Sequence, residues 1–396
     1  MATNDGGFIG QDGLNAPDSP TGVSATAGDT EATISFTAPS DVGGSAITGF
    51  RVQDGTNAHG ASGASSPITV TGLTNGTGYT FNVWAINAFG YSAPSDASGS
   101  VTPEVPEQAF IVAGYNSGAL QQIDVITITS TGNATDFGDF YSAEYVGGCC
   151  SSSTRGLVGG GDTTNTDIDY FTMSSGGTTS NFGTLNQQVG GGVAGASNST
   201  RGLFLGGFYS SGGNVWANNI QYVTIASLGN AADFGNLTLG RSQTTATSNS
   251  TRAICAGGTE GVANKTNVMD YVTIASTGNA TDFGNLLTAT RRQAGAASST
   301  RAVFAGGTTS GSNVIQYVTI ASTGNATDFG DLTVARQELG GTSGTTRSVF
   351  CGGGGGTNII DYITTASTGN ATDFGDLAQA REQATQTTSN SHAGLS

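Results

Sequence analysis

TRAVFAGG (300–307) and NVIQYVTIASTGNATDFGDLTVARQ (313–337) form one unit of a repeat that fills the chain from residue 108 onward. The phenylalanine of its Asp-Phe-Gly or Asn-Phe-Gly step recurs at 137, 182, 234, 283, 329 and 374, a period of 45 to 52 residues. An Arg follows 18 or 19 residues later, at 155, 201, 252, 301 and 347, and His392 takes the sixth slot. Short runs rich in Val, Ile, Thr, Tyr and Phe, punctuated by Gly and Asn, read as strands and turns. Each unit holds four strands. The first is built of small residues, the second is apolar and ends in Gly-Gly, the third alternates around a Tyr, and the fourth runs through Asp-Phe-Gly. The first copy begins at its second strand, AFIVAG (109–114), and a surplus small-residue strand, ATQTTSNS (384–391), follows the last copy. That strand is placed to complete the first unit and cover its open edge. The final HAGLS (392–396) reads as a short tail, with a seventh, incomplete unit as the alternative.

Four strands per period, Gly-Gly after the second and Tyr in the third resemble a kelch-type β-propeller blade. The Gly pairs are 206–207, 257–258, 306–307 and 352–353, and the tyrosines are Tyr170, Tyr222, Tyr271, Tyr317 and Tyr362, with Val125 in the first unit. Phe137 and its equivalents stand where that family usually carries Trp. The resemblance implies a six-bladed β-propeller over residues 105–396, with Gly, Ala, Ser and Thr on the crowded innermost strands.

Residues 19–104 carry different punctuation: EATISFTAPSD, AITGFRVQDG, SPITVTGL and GYTFNVWAINAFG. In the last of these, Tyr79, Phe81, Val83 and Ala85 share one face, and Thr80, Asn82, Trp84 and Ile86 the other. The run Leu73–Tyr79 has the form of a tyrosine corner. The stretches SFTAPSDVGGSAITGFRV and AINAFGYSAPS resemble a fibronectin type III module of the kind common in bacterial and phage proteins. Phe36 replaces that family's usual Trp. The expected class is therefore all-β, a sandwich followed by a propeller, preceded by an arm at residues 1–18. Phe8 and Ile9 are the arm's apolar pair and, with the outward Trp84, the candidate partner-docking residues.

Composition sets bounds on function. Gly accounts for 64 of 396 residues, only 10% of residues are charged, and the formal net charge is −16. With a single lysine, Lys265, and no basic cluster, nucleic acid and anionic membrane surfaces are excluded as expected partners. The opening MATNDGGFIGQDGLN lacks the basic segment and apolar core of a secretion signal, so the chain is expected to remain unsecreted. Cys149, Cys150, Cys255 and Cys351 fit no disulfide or zinc spacing and read as small buried thiols.

Catalytic signatures are equally thin. Asp-Phe-Gly recurs once per unit without the other kinase motifs, so it reads as structural. The nine Asn-x-Ser/Thr sequons, Asn133, Asn279, Asn325 and Asn370 among them, read as turn chemistry. With only His59 and His392 available, no Ser/His/Asp or Cys/His set can be drawn, and no cofactor or metal is expected. The recurring arginines, with Asp136, Asp233, Asp282, Asp328 and Asp373, are expected to pair between strands or blades; convergence on one anionic ligand is the alternative. The longest variable loop, FYSSGGNVWANN (208–219), presents Phe208, Tyr209 and Trp216 as candidate ligand-binding residues for sugar rings. A sandwich followed by an acidic, Gly/Ser/Thr-rich propeller resembles virion proteins of marine tailed bacteriophages. That resemblance implies a non-enzymatic structural protein, a head decoration, fibre or tail appendage, partnered by other virion proteins and host surface glycans. A bacterial surface adhesin and a sugar-active propeller enzyme are the alternatives.

Overall fold

The structure, a computed structural model, describes residues 15–141, 147–161, 165–187, 189, 191–210, 214–261, 263–383 and 387–395. Phe8 and Ile9 lie outside the described residues. The chain divides into two compact units, Met1–Pro106 and Glu107–Ser396. Both are built of strands, and the one helical element among the described residues is a 3-10 turn, Ala393–Leu395. None of the described helices is long and apolar enough to cross a membrane.

The first unit is a β-sandwich. Strands Thr21–Ala27, Glu31–Thr37 and Ile68–Thr71 form one sheet, and Gly60–Gly63, Gly49–Asp54, Phe81–Asn87 and Gly90–Tyr91 the other. Their inward residues, among them Ile34, Phe36, Phe50, Val52, Phe81 and Val83, make a single core. Phe81–Asn87 alternates strictly between buried and half-buried positions, so Trp84 lies on the outer face, half-buried and opposite Arg51. The backbone N–H of Thr74 donates to the Tyr79 hydroxyl at 3.1 Å, which makes the tyrosine corner.

The second unit contains six sheets, numbered here in the order of their phenylalanines. Sheet 1 orders Thr387–Ser389, Gln108–Tyr115, Ala119–Thr127 and Thr135–Asp139, with Gly177–Thr178 added at its outer edge. Sheet 2 orders Gly148–Ser151, Arg155–Gly159, Asp167–Thr172 and Ser180–Thr184. Sheet 3 orders Ala194–Ser197, Arg201–Leu205, Asn219–Thr224 and Ala232–Asn236. Sheet 4 orders Thr245–Ser248, Arg252–Ala256, Val268–Thr273 and Thr281–Asn285. Sheet 5 orders Ala294–Ala297, Arg301–Ala305, Ser312–Thr319 and Thr327–Arg336, and sheet 6 orders Gly340–Ser343, Arg347–Cys351, Thr357–Thr364 and Thr372–Arg381.

First strands touch in cyclic succession: sheet 2 to 3, 3 to 4, 4 to 5, 5 to 6, 6 to 1, and 1 back to 2. They approach so closely that side chains beyond a few atoms do not fit. A Cβ on Gly195 would lie 2.0 Å from the Cys149 carbonyl, and one on Gly341 would lie 2.9 Å from the Gly295 carbonyl. Serines tie these strands together: Ser151 N–H donates to Ser197 Oγ at 2.9 Å, and Ser151 Oγ donates to the Ser389 carbonyl at 2.8 Å. The first Gly of each Gly-Gly pair has a left-handed backbone, with φ of 60° to 71° at Gly206, Gly257, Gly306 and Gly352, which disfavours any other residue there.

Thr387–Ser389 pairs antiparallel with Gln108–Tyr115, setting Thr387 opposite Ile111 and Ser389 opposite Ala109. HAGLS differs from a free tail. Ala393 packs among Ile254, Ala297, Ala302 and Phe304, and Ala393 and Gly394 are buried. Removing residues 387–396 strips the partner from Gln108–Tyr115 and bares the edge of a strand whose six interior residues, 109–114, are buried. The truncated chain is expected to self-associate in sedimentation velocity and to melt at least about 5 °C below the full chain; an unchanged monomer would contradict this role for the strand.

Candidate functional site

The recurring arginines resolve into two sets with different chemistry. Arg155, Arg201, Arg252, Arg301 and Arg347 each lie over the tyrosine of their own sheet, at 4.6 to 4.8 Å from the ring centroid. Each tyrosine in turn meets the phenylalanine of the fourth strand, as Tyr317 meets Phe329 edge-on at 5.7 Å. Each of these guanidinium groups also donates to a backbone carbonyl of the next sheet: Arg155 to Ile225, Arg201 to Ile274, Arg252 to Ile320, Arg301 to Thr365 and Arg347 to Ile128. The five diverge to five junctions and converge on no common ligand position. Asp136, Asp233, Asp282, Asp328 and Asp373 are exposed and make none of the ion pairs seen among the described residues. The expected pairing of these aspartates is thus corrected: the arginines find aromatic faces and carbonyls, and the aspartates face solvent.

The second set sits where fourth strands end. Arg241 is fully buried and its Nη2 lies 2.9 Å from Asp270 Oδ2 in the following sheet. Arg336 pairs likewise with Asp361, and Arg381 with Asp124 at 2.9 Å. Desolvation is the largest influence on Arg336 and Arg381 and pushes both guanidinium groups down; their aspartates oppose it. These pairs hold junctions 3–4, 5–6 and 6–1. At junctions 2–3 and 4–5 the same position carries a neutral Gln: Gln221 accepts from the N–H of Asn186 at 2.6 Å, and Gln316 from that of Leu287 at 2.7 Å.

The cleft with the most varied polar chemistry lies where the first strands begin. Its lining includes Gly192, Gln243, Arg292, Gln293, Glu338 and Thr387. Gln243, Arg292 and Glu338 occupy one repeat position in three successive units, and all three hold left-handed backbones, with φ of 51°, 61° and 57°. Such strain in non-glycine residues concentrates at functional positions. Arg292 Nη1 lies 2.6 Å from Glu338 Oε1, and the pair is partly open to solvent. Burial raises the Glu338 carboxyl and Arg292 counters it, while Arg291 is lowered by burial and by its neighbour Arg292. Gln243 Oε1 and Gln293 Oε1 are buried and have no hydrogen-bond partner among the described residues. The cleft thus offers one cation, one anion and amide groups to a small polar ligand. No group of three or more His, Cys, Asp or Glu side chains able to hold a metal occurs among the described residues. Sequence reasoning missed this cleft, because its residues are separated by 46 to 49 positions and only the fold aligns them.

At the opposite ends of the first strands a second cleft is lined by Ser197, Ser248, Ser343, Thr388 and His392. His392 Nδ1 accepts from the Gly394 N–H at 3.0 Å, and Nε2 is 3.2 Å from the Ser151 carbonyl, so Nε2 carries the proton. A second proton would have to enter at the occupied Nδ1. The four cysteines are free and buried, and burial pushes Cys150 and Cys351 up to about 12.

The loop of sheet 3 forms a small hairpin, Phe208–Ser210 paired with Asn214–Trp216. Phe208 and Trp216 are cross-strand partners with ring centroids 5.7 Å apart. Tyr209 packs onto the core that includes Leu185 and Val189. The fold thus separates the three sequence-derived candidates: Tyr209 braces the hairpin from below, and Phe208 with Trp216 forms a half-buried aromatic pair. Trp84 belongs to the other compact unit.

Comparison with known proteins places the sandwich in a protein class. Residues 18–100 match the fibronectin type III domain family. Exoglucanase B of Cellulomonas fimi is 32% identical over 127 residues, a stretch covering 30% of this chain and 11% of that protein.

Burial lowers His392 to about 4. The unfolded chain takes up this proton near pH 6.5, the folded chain only near 4, so the histidine costs stability as pH falls through that window. Relative to His392→Asn, the wild type is expected to lose roughly 3 kcal/mol between pH 7 and pH 4; denaturant melts at the two pH values check this, and parallel curves would refute it.

Proposed function

We propose that the second unit is a kelch-like β-propeller of six four-stranded blades and that the chain is a non-enzymatic structural protein displayed on a tailed-phage particle. The observation that carries the architectural part is the circuit of first strands, joined where Thr387–Ser389 pairs with Gln108–Tyr115. A body whose last strand is locked into its first sheet leaves that sheet's first edge covered, resists fraying there and presents its loops rigidly. The fibronectin type III module then acts as a spacer, and the arm at 1–18, with Phe8 and Ile9, docks the protein onto other virion proteins. The assignment to a particle rests on the resemblance of the repeat to phage structural proteins. Buried arginines and tyrosine-stacked guanidinium groups have structural roles here, which supports a scaffold over an enzyme. Mass spectrometry of purified virions is expected to find the chain at many copies, and deleting residues 1–18 to abolish incorporation. Absence of the full chain from particles would overturn the virion assignment.

One observation favours a second reading, a surface adhesin or lectin. A 127-residue stretch of the chain is similar to part of an exoglucanase, a protein named for action on glucans. Glycan binding fits either setting, through the Phe208–Trp216 pair or the Arg292–Glu338 cleft. On a glycan array, Trp216→Ala is expected to weaken binding about tenfold if the hairpin stacks on sugar, roughly 1.4 kcal/mol. Binding indifferent to that substitution would discard the hairpin.

A further inference from the structure

Junction 1–2 breaks the charge rule that the other five junctions obey. Where the residue seven after the repeat's Phe is Arg (241, 336, 381), the facing third-strand residue is Asp (270, 361, 124); where it is Val189 or Thr290, the facing residue is Gln221 or Gln316. Sheet 2 carries Asp169 at this position. The corresponding residue of the preceding unit is Glu144 in sequence and lies outside the described residues. Asp169 is only 6% exposed, yet no described residue gives it a hydrogen bond or an ion pair.

Backbone register fixes where that carboxylate points. Asp169 stands opposite Val158 and Asn181, just as Asp270 stands opposite Cys255 and Asp282, and Asp361 opposite Phe350 and Asp373. Its side chain therefore leaves the sheet toward the position that a guanidinium fills at the ion-paired junctions. There the guanidinium is ringed by oxygens. Arg241 donates to the carbonyls of Val268 at 2.9 Å and Cys255 at 3.1 Å, and Arg336 to those of Gly352 at 2.7 Å and Ile359 at 3.0 Å. Arg381 donates to the carbonyls of Ile111, Ala113 and Gln122. The same register positions in sheet 2 are the carbonyls of Val158, Gly160 and Asp167.

We propose that junction 1–2 binds a Ca2+ ion, held by the Asp169 carboxylate and by carbonyl oxygens of Val158, Gly160 and Asp167, in place of the guanidinium used elsewhere. A hard cation that takes six to eight oxygens suits a buried carboxylate set among carbonyls, and the nearby Asp167 carboxylate adds a second negative charge. The same burial, with Asp167, raises Asp169 to about 6. Bound Ca2+ would supply a counter-ion within sheet 2. This inference uses only the sheet pairing and is independent of the phage assignment.

Asp169→Gln is the informative variant, because it copies the arrangement at Gln221 and Gln316 and is expected to fold. In EDTA-treated wild-type protein at pH 7.5, Ca2+ at a hundredfold its dissociation constant is expected to raise the melting temperature by roughly 5 °C. The variant is expected to show no such rise, and calorimetric titration of the wild type to give one Ca2+ per chain. Three results would overturn the site: no Ca2+ heat with the wild type, an equal thermal shift in Asp169→Gln, or an equal shift with Na+ at matched ionic strength. If Asp169→Gln is more stable than wild type at pH 7.5 and Ca2+ has no effect, the carboxylate is held by a proton instead, and the proposal fails.

Discussion

The spacing between neighbouring sheets is the constraint on which the rest of the second unit depends. At the inner end, first strands approach until only Gly, Ala, Ser, Thr and Cys fit between them. At the outer end, the turn between third and fourth strands reaches back to the preceding sheet. Gly278 N–H donates to the Phe234 carbonyl, Gly324 to Phe283, Gly369 to Phe329, Gly229 to Phe182 and Gly132 to Phe374, all at 2.7 to 3.0 Å. The following Asn repeats the link, as when Asn279 Oδ1 accepts from the Asn236 N–H at 3.0 Å. Junction 1–2 uses a variant of the same contact, in which Gly138 pairs with Gly177. A sheet with one buried face cannot stand alone, and these contacts give each sheet two neighbours.

This explains why STGNATDFG is so nearly invariant among units. The Asn and Gly serve the junction, the Phe fills the core beneath the tyrosine, and the Asp points to water. The sequons in this stretch have their Asn side chains engaged in inter-sheet hydrogen bonds, so the Asn is explained by turn and junction chemistry. Electrostatics enters only where the sheets also need a polar filler. There the Arg–Asp pairs sit in low dielectric, and removing one partner would leave a buried uncompensated charge. A neutral Gln meets the same need at two junctions without that liability.

Much of this was legible along the chain. The alternation around Trp84, the tyrosine corner at Tyr79, the strands of each repeat and the role of the terminal strand follow from local periodicity, which depends on neighbours two or three residues away. The partners of the arginines were not legible. Arg252 lies 68 residues from the carbonyl it reaches, and Arg381 lies 257 from Asp124. Asp282 and Asp270 look equivalent as text and stand opposite each other across paired strands, yet Asp282 is exposed and Asp270 is fully buried against Arg241 at a junction. The tail HAGLS was also misjudged, since its burial depends on where six strand ends meet.

By itself the sequence determined that the chain is all-β, where its strands and turns fall, and that its repeats are built alike, because these properties are set by side-chain alternation and by residues that tolerate tight turns. Tertiary structure decided which charges are buried, which are paired and which line the cleft at Arg292 and Glu338. Those outcomes depend on the superposition of positions about 46 residues apart, a relation created only when neighbouring sheets pack.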